Sequence, residues 1–158
     1  AGAASVVGVE LNTAYLERAR ALARSAGLDD RISYLEGDFT ELAGRIEPAG
    51  VTILDKAVHC YRKPERLVRQ AAGHTRSLYV ITFPRDLWWF RWMIRSVAAV
   101  LPRLPERWRP SWRVRFTRPE RIRSWVRDAG FVRLSHEETK IFITELYARR
   151  DESSESVS

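Results

Sequence analysis

Three acidic residues close apolar runs in the first 55 positions: Glu10 ends SVVGVE, Asp38 ends RISYLEGD and Asp55 ends VTILD. A carboxylate only accepts hydrogen bonds and can take two hydroxyl donors at once. In nucleotide-binding β-α-β units such an acid, at the end of the second strand, holds the ribose hydroxyls, with a glycine-rich loop about 20 residues earlier. Glu10 has that position, and the place of the loop falls ahead of Ala1. The plainer alternative makes Glu10 a helix-dipole partner and Asp38 a loop cap. After VTILD the chain reads DKAVHCY, which sets Lys56, His59, Cys60 and Tyr61 just past a strand end. With an unperturbed pKa of about 6.5, His59 is a candidate general base. A loop histidine satisfied by backbone groups is the competing reading. Tyr61 reads as a pocket wall and Cys60 as small packing.

Alternating strand and helix signals position these residues. SVVGVE predicts a strand, with Gly8 allowing close approach. NTAYLERARALARSAG predicts a helix whose inner face is Tyr15, Leu16, Ala19, Leu22, Ala23 and Ala26, capped by Asn12 or Thr13 and ended by Gly27. RISYLEGD is a second strand, FTELAGRI a short helix, and Pro48-Ala49-Gly50 a break. VTILD has the character of a central parallel strand covered on both faces. KPERLVRQAAG is a helix with Pro64 in its first turn, and SLYVITF a buried strand. Thr117 and Glu120 form a possible capping box before PERIRSWVRDAG. FVRLSHEE and IFITELYAR then read as a closing antiparallel pair. The fold class expected is α/β: a Rossmann-like doubly wound sheet closed by antiparallel strands, lacking the first strand and its glycine-rich loop.

Size and composition bound the possibilities. The 158 residues suffice for one domain, read as residues 1–150 with an aromatic helical insert at about 87–112 and a disordered acidic tail, DESSESVS, at 151–158. No run of 18 apolar residues is present, and the opening lacks the pattern of a signal peptide. A single cysteine excludes an internal disulfide and fits a reducing, cytoplasmic compartment. His59, His74 and His136 are not spaced as zinc ligands, so no metal is expected. The net charge of +7 comes largely from arginine, since only Lys56, Lys63 and Lys140 are lysines. A solvated basic surface accounts for that charge, although nucleic acid, acidic lipid or an anionic substrate would also answer it.

The segments VVGVELNTAYLERARALA and RISYLEGDF resemble the second and third motifs of class I S-adenosylmethionine-dependent methyltransferases. The resemblance continues through VTILDKAVHCYRKPERLV, SLYVITFPR, WVRDAGFVRL and IFITELYARR, and so covers nearly the whole chain. Residues 54–103 are more loosely similar to magnesium-protoporphyrin O-methyltransferases. The resemblance implies S-adenosylmethionine as cofactor, with Glu10 on both ribose hydroxyls and Leu11 against the adenine face. It also implies that Asp38 accepts from the exocyclic amine, with Phe39 beside the ring. Asp55, Lys56, His59 and Tyr61 would border the methionine end and the substrate. Two departures stand out: no glycine motif is present for the carboxypropyl end, and Gly50 stands where an acid often begins the fourth strand.

The stretch DLWWFRWMIRSVAAVLPRLPERWRPSW interleaves tryptophan with arginine. As a helix it would align Arg91 and Arg95, with Trp88, Trp89, Trp92, Met93 and Val97 around the rest. It reads as a lid over a large aromatic substrate, with Trp88 and Trp92 meeting it, as a peripheral membrane contact, or as a helix covering the core. The expected activity is methyl transfer to an oxygen or nitrogen of a small, rather apolar molecule. The alternative is a non-catalytic Rossmann-like domain that binds membrane or RNA through its basic Trp-rich face. Nucleic acid is disfavoured because DKAVHC replaces the Asn/Asp-Pro-Pro-aromatic stretch of base-amine methyltransferases. A nicotinamide-linked oxidoreductase would share the acidic ribose contact but not the closing antiparallel pair. The resemblance implies a further strand between SVVGV and VTILD; without it, these residues by themselves are expected to be marginally stable and to bind cofactor weakly or not at all.

Overall fold

The computed structural model describes residues 2–89, 92, 96, 99 and 117–150. The chain divides into two compact units, Ala1–Glu47 and Pro48–Ser158, each taken by itself below.

In the first unit, strand β1 (Val6–Glu10) and strand β2 (Ile32–Glu36) are parallel, in register from Val6 opposite Ile32 to Glu10 opposite Glu36. Helix α1 (Thr13–Ser25) makes the crossover. Asn12 caps it, its side chain accepting from Ala14 N at 3.0 Å. Gly27, at φ 64°, ends it: Gly27 N donates to Arg24 O and Leu28 N to Ala23 O, a Schellman arrangement. The predicted inner face of α1 is narrower than expected. Leu16 and Ala23 are buried, but Tyr15 and Leu22 are 65% and 62% exposed. At Gly8 an added Cβ would come within 3.0 Å of the Tyr34 ring, so the close approach there is to that side chain. Helix α2 (Phe39–Leu42) runs on into a 3-10 turn at Ala43–Arg45, where FTELAGRI predicts one short helix.

The second unit is a four-stranded sheet, in the order β3, β4, β6, β5. Strands β3 (Ala49–Asp55) and β4 (Thr75–Pro84) are parallel and joined through helix α3 (Pro64–Gly73). Strands β5 (Phe131–Glu138) and β6 (Phe142–Arg149) form a hairpin whose second strand pairs antiparallel with β4. Helix α4 (Pro119–Asp128) precedes them and contacts α3. Tyr79, Ile81 and Phe83 of β4, with Ile143 and Tyr147 of β6, form the buried side of the sheet. Leu67, Val68 and Ala71 of α3 and Ile122, Trp125 and Val126 of α4 complete the core. Arg149 ties the layers together: its guanidinium donates to Ala72 O at 3.0 Å at the carboxyl end of α3 and lies 4.7 Å from the Phe131 ring centroid.

The architecture is mixed α/β and Rossmann-like, with parallel strands first and an antiparallel pair last. Three local expectations are corrected. Ala49 and Gly50 belong to β3, which absorbs the expected break as a register shift between Ala49 and Val51. The capping box does not form, because Pro119 takes the first helical position and leaves Arg118 as a cap without a side-chain bond. VTILD is not covered on both faces: Val51 and Ile53 are 51% and 66% exposed, and among the described residues β3 pairs only with β4. The stripe of Arg91, Met93, Arg95 and Val97, the segment with Trp108, Trp112 and Phe116, and the tail 151–158 lie outside the described residues. No described helix is long and apolar enough to cross a membrane.

Candidate functional site

In the first unit the expected residues gather at the carboxyl end of the parallel pair, the side where open α/β sheets take ligands. Glu10 ends β1 half-buried, and its backbone carbonyl accepts from Gly37 N at 3.0 Å, which holds the chain leaving β2 beside it. One carboxylate oxygen accepts from Asn12 N at 2.9 Å. The other has no partner among the described residues. Leu11 is 62% exposed. Asp38 caps α2, accepting from Thr40 N at 2.7 Å, with Phe39 half-buried next to it. The capping reading of Asp38 therefore holds, and Glu10 also has a local partner. Glu36, which the sequence did not mark, faces Glu10 across the pair and accepts from Thr13 Oγ1 at 2.6 Å. Its signal was the acid just before Gly37-Asp38.

In the second unit Asp55 ends β3, and Lys56 follows with φ at 51°. A lysine in left-handed backbone costs roughly 1–2 kcal/mol. It is held there by Lys56 N donating to Thr82 O at 3.1 Å and by an ammonium 3.7 Å from Asp55 and 5.3 Å from the Phe142 ring centroid. Local strain of this kind gathers at functional sites. His59 lies in the following turn, with Nδ1 buried and without a hydrogen-bond partner. The backbone-satisfied alternative thus finds no bond at that nitrogen. Burial holds its pKa below the ordinary histidine value, which favours the neutral ring. Tyr61 is half-buried. Cys60 is exposed, which corrects its reading as packing: the turn at residues 58–60 buries Val58 instead. Trp88 and Trp92 are helical and 80% and 70% exposed, so neither covers the core. Among the described residues no group of three or more His, Cys, Asp or Glu could hold a metal ion.

A second polar cluster has no counterpart in the sequence reading. Glu145 of β6 is fully buried. One of its oxygens accepts from Arg123 Nε at 2.9 Å, Arg133 Nη1 at 3.0 Å and His136 Nδ1 at 2.9 Å. The other accepts from Tyr147 Oη at 2.5 Å. Burial pushes this carboxyl up, but the hydrogen bonds from Tyr147, His136 and Arg123, with the Arg123 charge, bring it below the ordinary range. Burial and the bond to Glu145 push the Tyr147 hydroxyl well above the usual tyrosine range. A bulge between Arg133 and Ser135 shifts the strand alternation by one, so that Arg133 and His136, three apart, both reach Glu145.

No protein-family model matches the sequence, and no curated protein matches it. Solved structures do resemble it. Magnesium protoporphyrin IX methyltransferase from Synechocystis PCC 6803, with bound SAH, is 12% identical with a TM-score of 0.70, over 92% of this chain and 64% of that one. An O-methyltransferase family protein from Burkholderia thailandensis is 16% identical with a TM-score of 0.70, over 94% of this chain and 44% of that one. The cyclase SpnF is 12% identical with a TM-score of 0.66, over 92% and 67%. This chain spans less than two-thirds of the first two. At such identities the likeness is one of fold, and that fold is the class I S-adenosylmethionine-dependent methyltransferase fold. A cyclase among the similar structures shows that the fold alone does not set the reaction.

Proposed function

We propose that this protein transfers a methyl group from S-adenosylmethionine to an oxygen or nitrogen of a small, rather apolar molecule. The observation that supports this best is Glu10, an acid at the end of a parallel strand with one oxygen still to be filled, in a fold shared with a methyltransferase solved with SAH. In this reading Glu10 takes the ribose hydroxyls and Leu11 covers the adenine face. Asp38 accepts from the adenine amine with Phe39 alongside. The residues present fit the adenosine half; no Gly-x-Gly turn in the sequence fits the carboxypropyl end. When bound, the cofactor supplies an electrophilic methyl group, and positioning then provides much of the rate.

The protein's own task at the acceptor is to exclude water and to receive a proton. His59 takes the proton that an acceptor hydroxyl or amine releases, and burial keeps its ring neutral for that role. Tyr61, Trp88 and Trp92 offer apolar wall, and the exposure of the two tryptophans leaves their ring faces available. Isothermal titration with S-adenosylhomocysteine tests the reading. Saturable binding is expected, weakened about tenfold or more by Glu10→Gln, which keeps the acceptor for Asn12 but loses the charge. Affinity unchanged by that substitution, or no binding at millimolar ligand, refutes it.

A further inference from the structure

We propose that Phe142, the first residue of β6, is a positioning residue that fixes the orientation of the His59 ring. The proposal rests on the reading of His59 as the proton acceptor. A histidine in a reactive site is ordinarily oriented through a hydrogen bond at one ring nitrogen, which also selects the tautomer. His59 has no such bond at Nδ1, which is buried. Its ring meets Phe142 instead, with centroids 6.4 Å apart and planes tilted by 52°, inside the range of edge-to-face aromatic pairs.

Phe142 is built to stay where it is. Its backbone N–H donates to Thr139 Oγ1 at 3.0 Å, and its carbonyl accepts from Thr139 N at 2.8 Å and Thr139 Oγ1 at 3.1 Å. The turn holding Thr139 is fastened to the end of β4: Arg85 N donates to Ile141 O at 2.7 Å and Arg85 Nη1 to Thr139 O at 3.1 Å. Arg85 also pairs with Glu138 at 3.0 Å. The ring itself lies 5.3 Å from the ammonium of Lys56, whose left-handed backbone follows β3 directly. Among the described residues, the contacts of Phe142 and its turn bring in the charges of Lys56, its partner Asp55, and the Arg85–Glu138 pair that anchors the turn. Phe142 keeps water from one side of the imidazole and limits its rotation.

The three histidines of the chain make the test direct. Histidine Hε1 and ring-nitrogen signals are followed by NMR through a pH titration of the protein alone, with His59→Gln to assign the peak. Phe142→Ala is expected to raise the His59 midpoint by about half a pH unit or more, because water reaches the ring. It should also change the His59 nitrogen shifts toward a mixture of tautomers. Phe142→Tyr, which keeps the ring, should leave both as in wild type. His74 and His136, held by Gln70 O and by Glu145, report on folding. If all three histidines change in Phe142→Ala, the milder Phe142→Leu decides: a shift confined to His59 supports the proposal. A His59 signal unmoved while the aromatic ring is absent overturns it. The titration needs neither methyl donor nor acceptor, so failure of the methyl-transfer reading leaves its outcome unchanged, and its own failure leaves that reading standing.

Discussion

Replacing Glu145 by Gln removes a charge from a fully buried side chain while nearly keeping its shape. The carboxylate takes three donors on one oxygen, from Arg123, Arg133 and His136, and the Tyr147 hydroxyl on the other. Hydrogen bonds to a charged group contribute roughly 1.5–3 kcal/mol and neutral ones about 0.5–1.5, so neutralising one partner forfeits about 1 kcal/mol per bond. Two of the donors are partly hydrated, since the Arg123 and Arg133 side chains are 29% and 47% exposed, and their share is discounted. Relief from burying a charge works the other way. The direction follows from the pKa: the network holds Glu145 below the ordinary carboxyl range in spite of burial, so attraction exceeds desolvation. The expected loss for Glu145→Gln is about 2 kcal/mol, and for Glu145→Ala, which leaves the arginines facing a cavity, about 3–5 kcal/mol.

The same substitution carries a pH signature. Glu145 titrates lower in the folded chain than in the unfolded one, so the folded state binds fewer protons there. Its contribution is fully present above the unfolded value of about 4.3 and is lost as pH falls through the lower folded value. Urea unfolding followed by circular dichroism, on wild type and Glu145→Gln, should therefore show a constant gap from neutral pH down to about 4.3 and a gap that closes as pH falls from there through the folded value. A variant within about 0.5 kcal/mol of wild type at pH 7, which is the range of ordinary surface substitutions, would refute the reasoning. So would a gap that stays open in acid.

Two further outcomes are expected. Lys56→Gly and Lys56→Ala both remove the contacts of the lysine, but only glycine relaxes its left-handed backbone, so glycine should be the more stable by about 1 kcal/mol in thermal melts; equal melts would mean that no strain is stored. Ile53→Lys places a charge on an exposed apolar strand and should lower dye binding by apolar surface, with stability within about 0.5 kcal/mol of wild type. Unchanged dye binding would mean that this strand is not part of the apolar area the dye meets.

The element order was legible because its signals are short-range. Asn12 and Gly27 bracket α1 through bonds to residues within five positions, and Pro64 opens α3 through its own fixed φ. Burial was less legible, because it depends on what pairs with a strand. VTILD has the composition of a covered strand, yet Val51 and Ile53 are exposed. The capping box failed over one residue, since the sequence pattern takes no account of Pro119 claiming the first helical position. In the sequence, nothing marks Glu145 apart from other polar residues of IFITELYAR. Of the groups that make its burial tolerable only Tyr147 lies in that stretch; Arg123 comes from α4, and Arg133 and His136 from the bulged strand β5, so three of its four donors leave no trace there.

Strand direction explains which residues of the candidate site stand out in the sequence. A parallel strand delivers its last residue to the ligand end of the sheet, so an acid closing an apolar run is a readable sign, as at Glu10 and Asp55. Strand β6 runs the other way. Its first residue therefore arrives beside the ends of β3 and β4, and Phe142 pairs with Pro84 at the very end of β4. A reading that looks for functional groups after strands passes over a residue that begins one. The aromatic neighbour of His59 thus lies 83 positions away in sequence, between Thr139 and Thr144 in a stretch that reads only as the opening of a strand. Where an antiparallel strand closes an otherwise parallel sheet, the residues at its amino end belong among the candidates, because direction places them with the carboxyl ends of its neighbours.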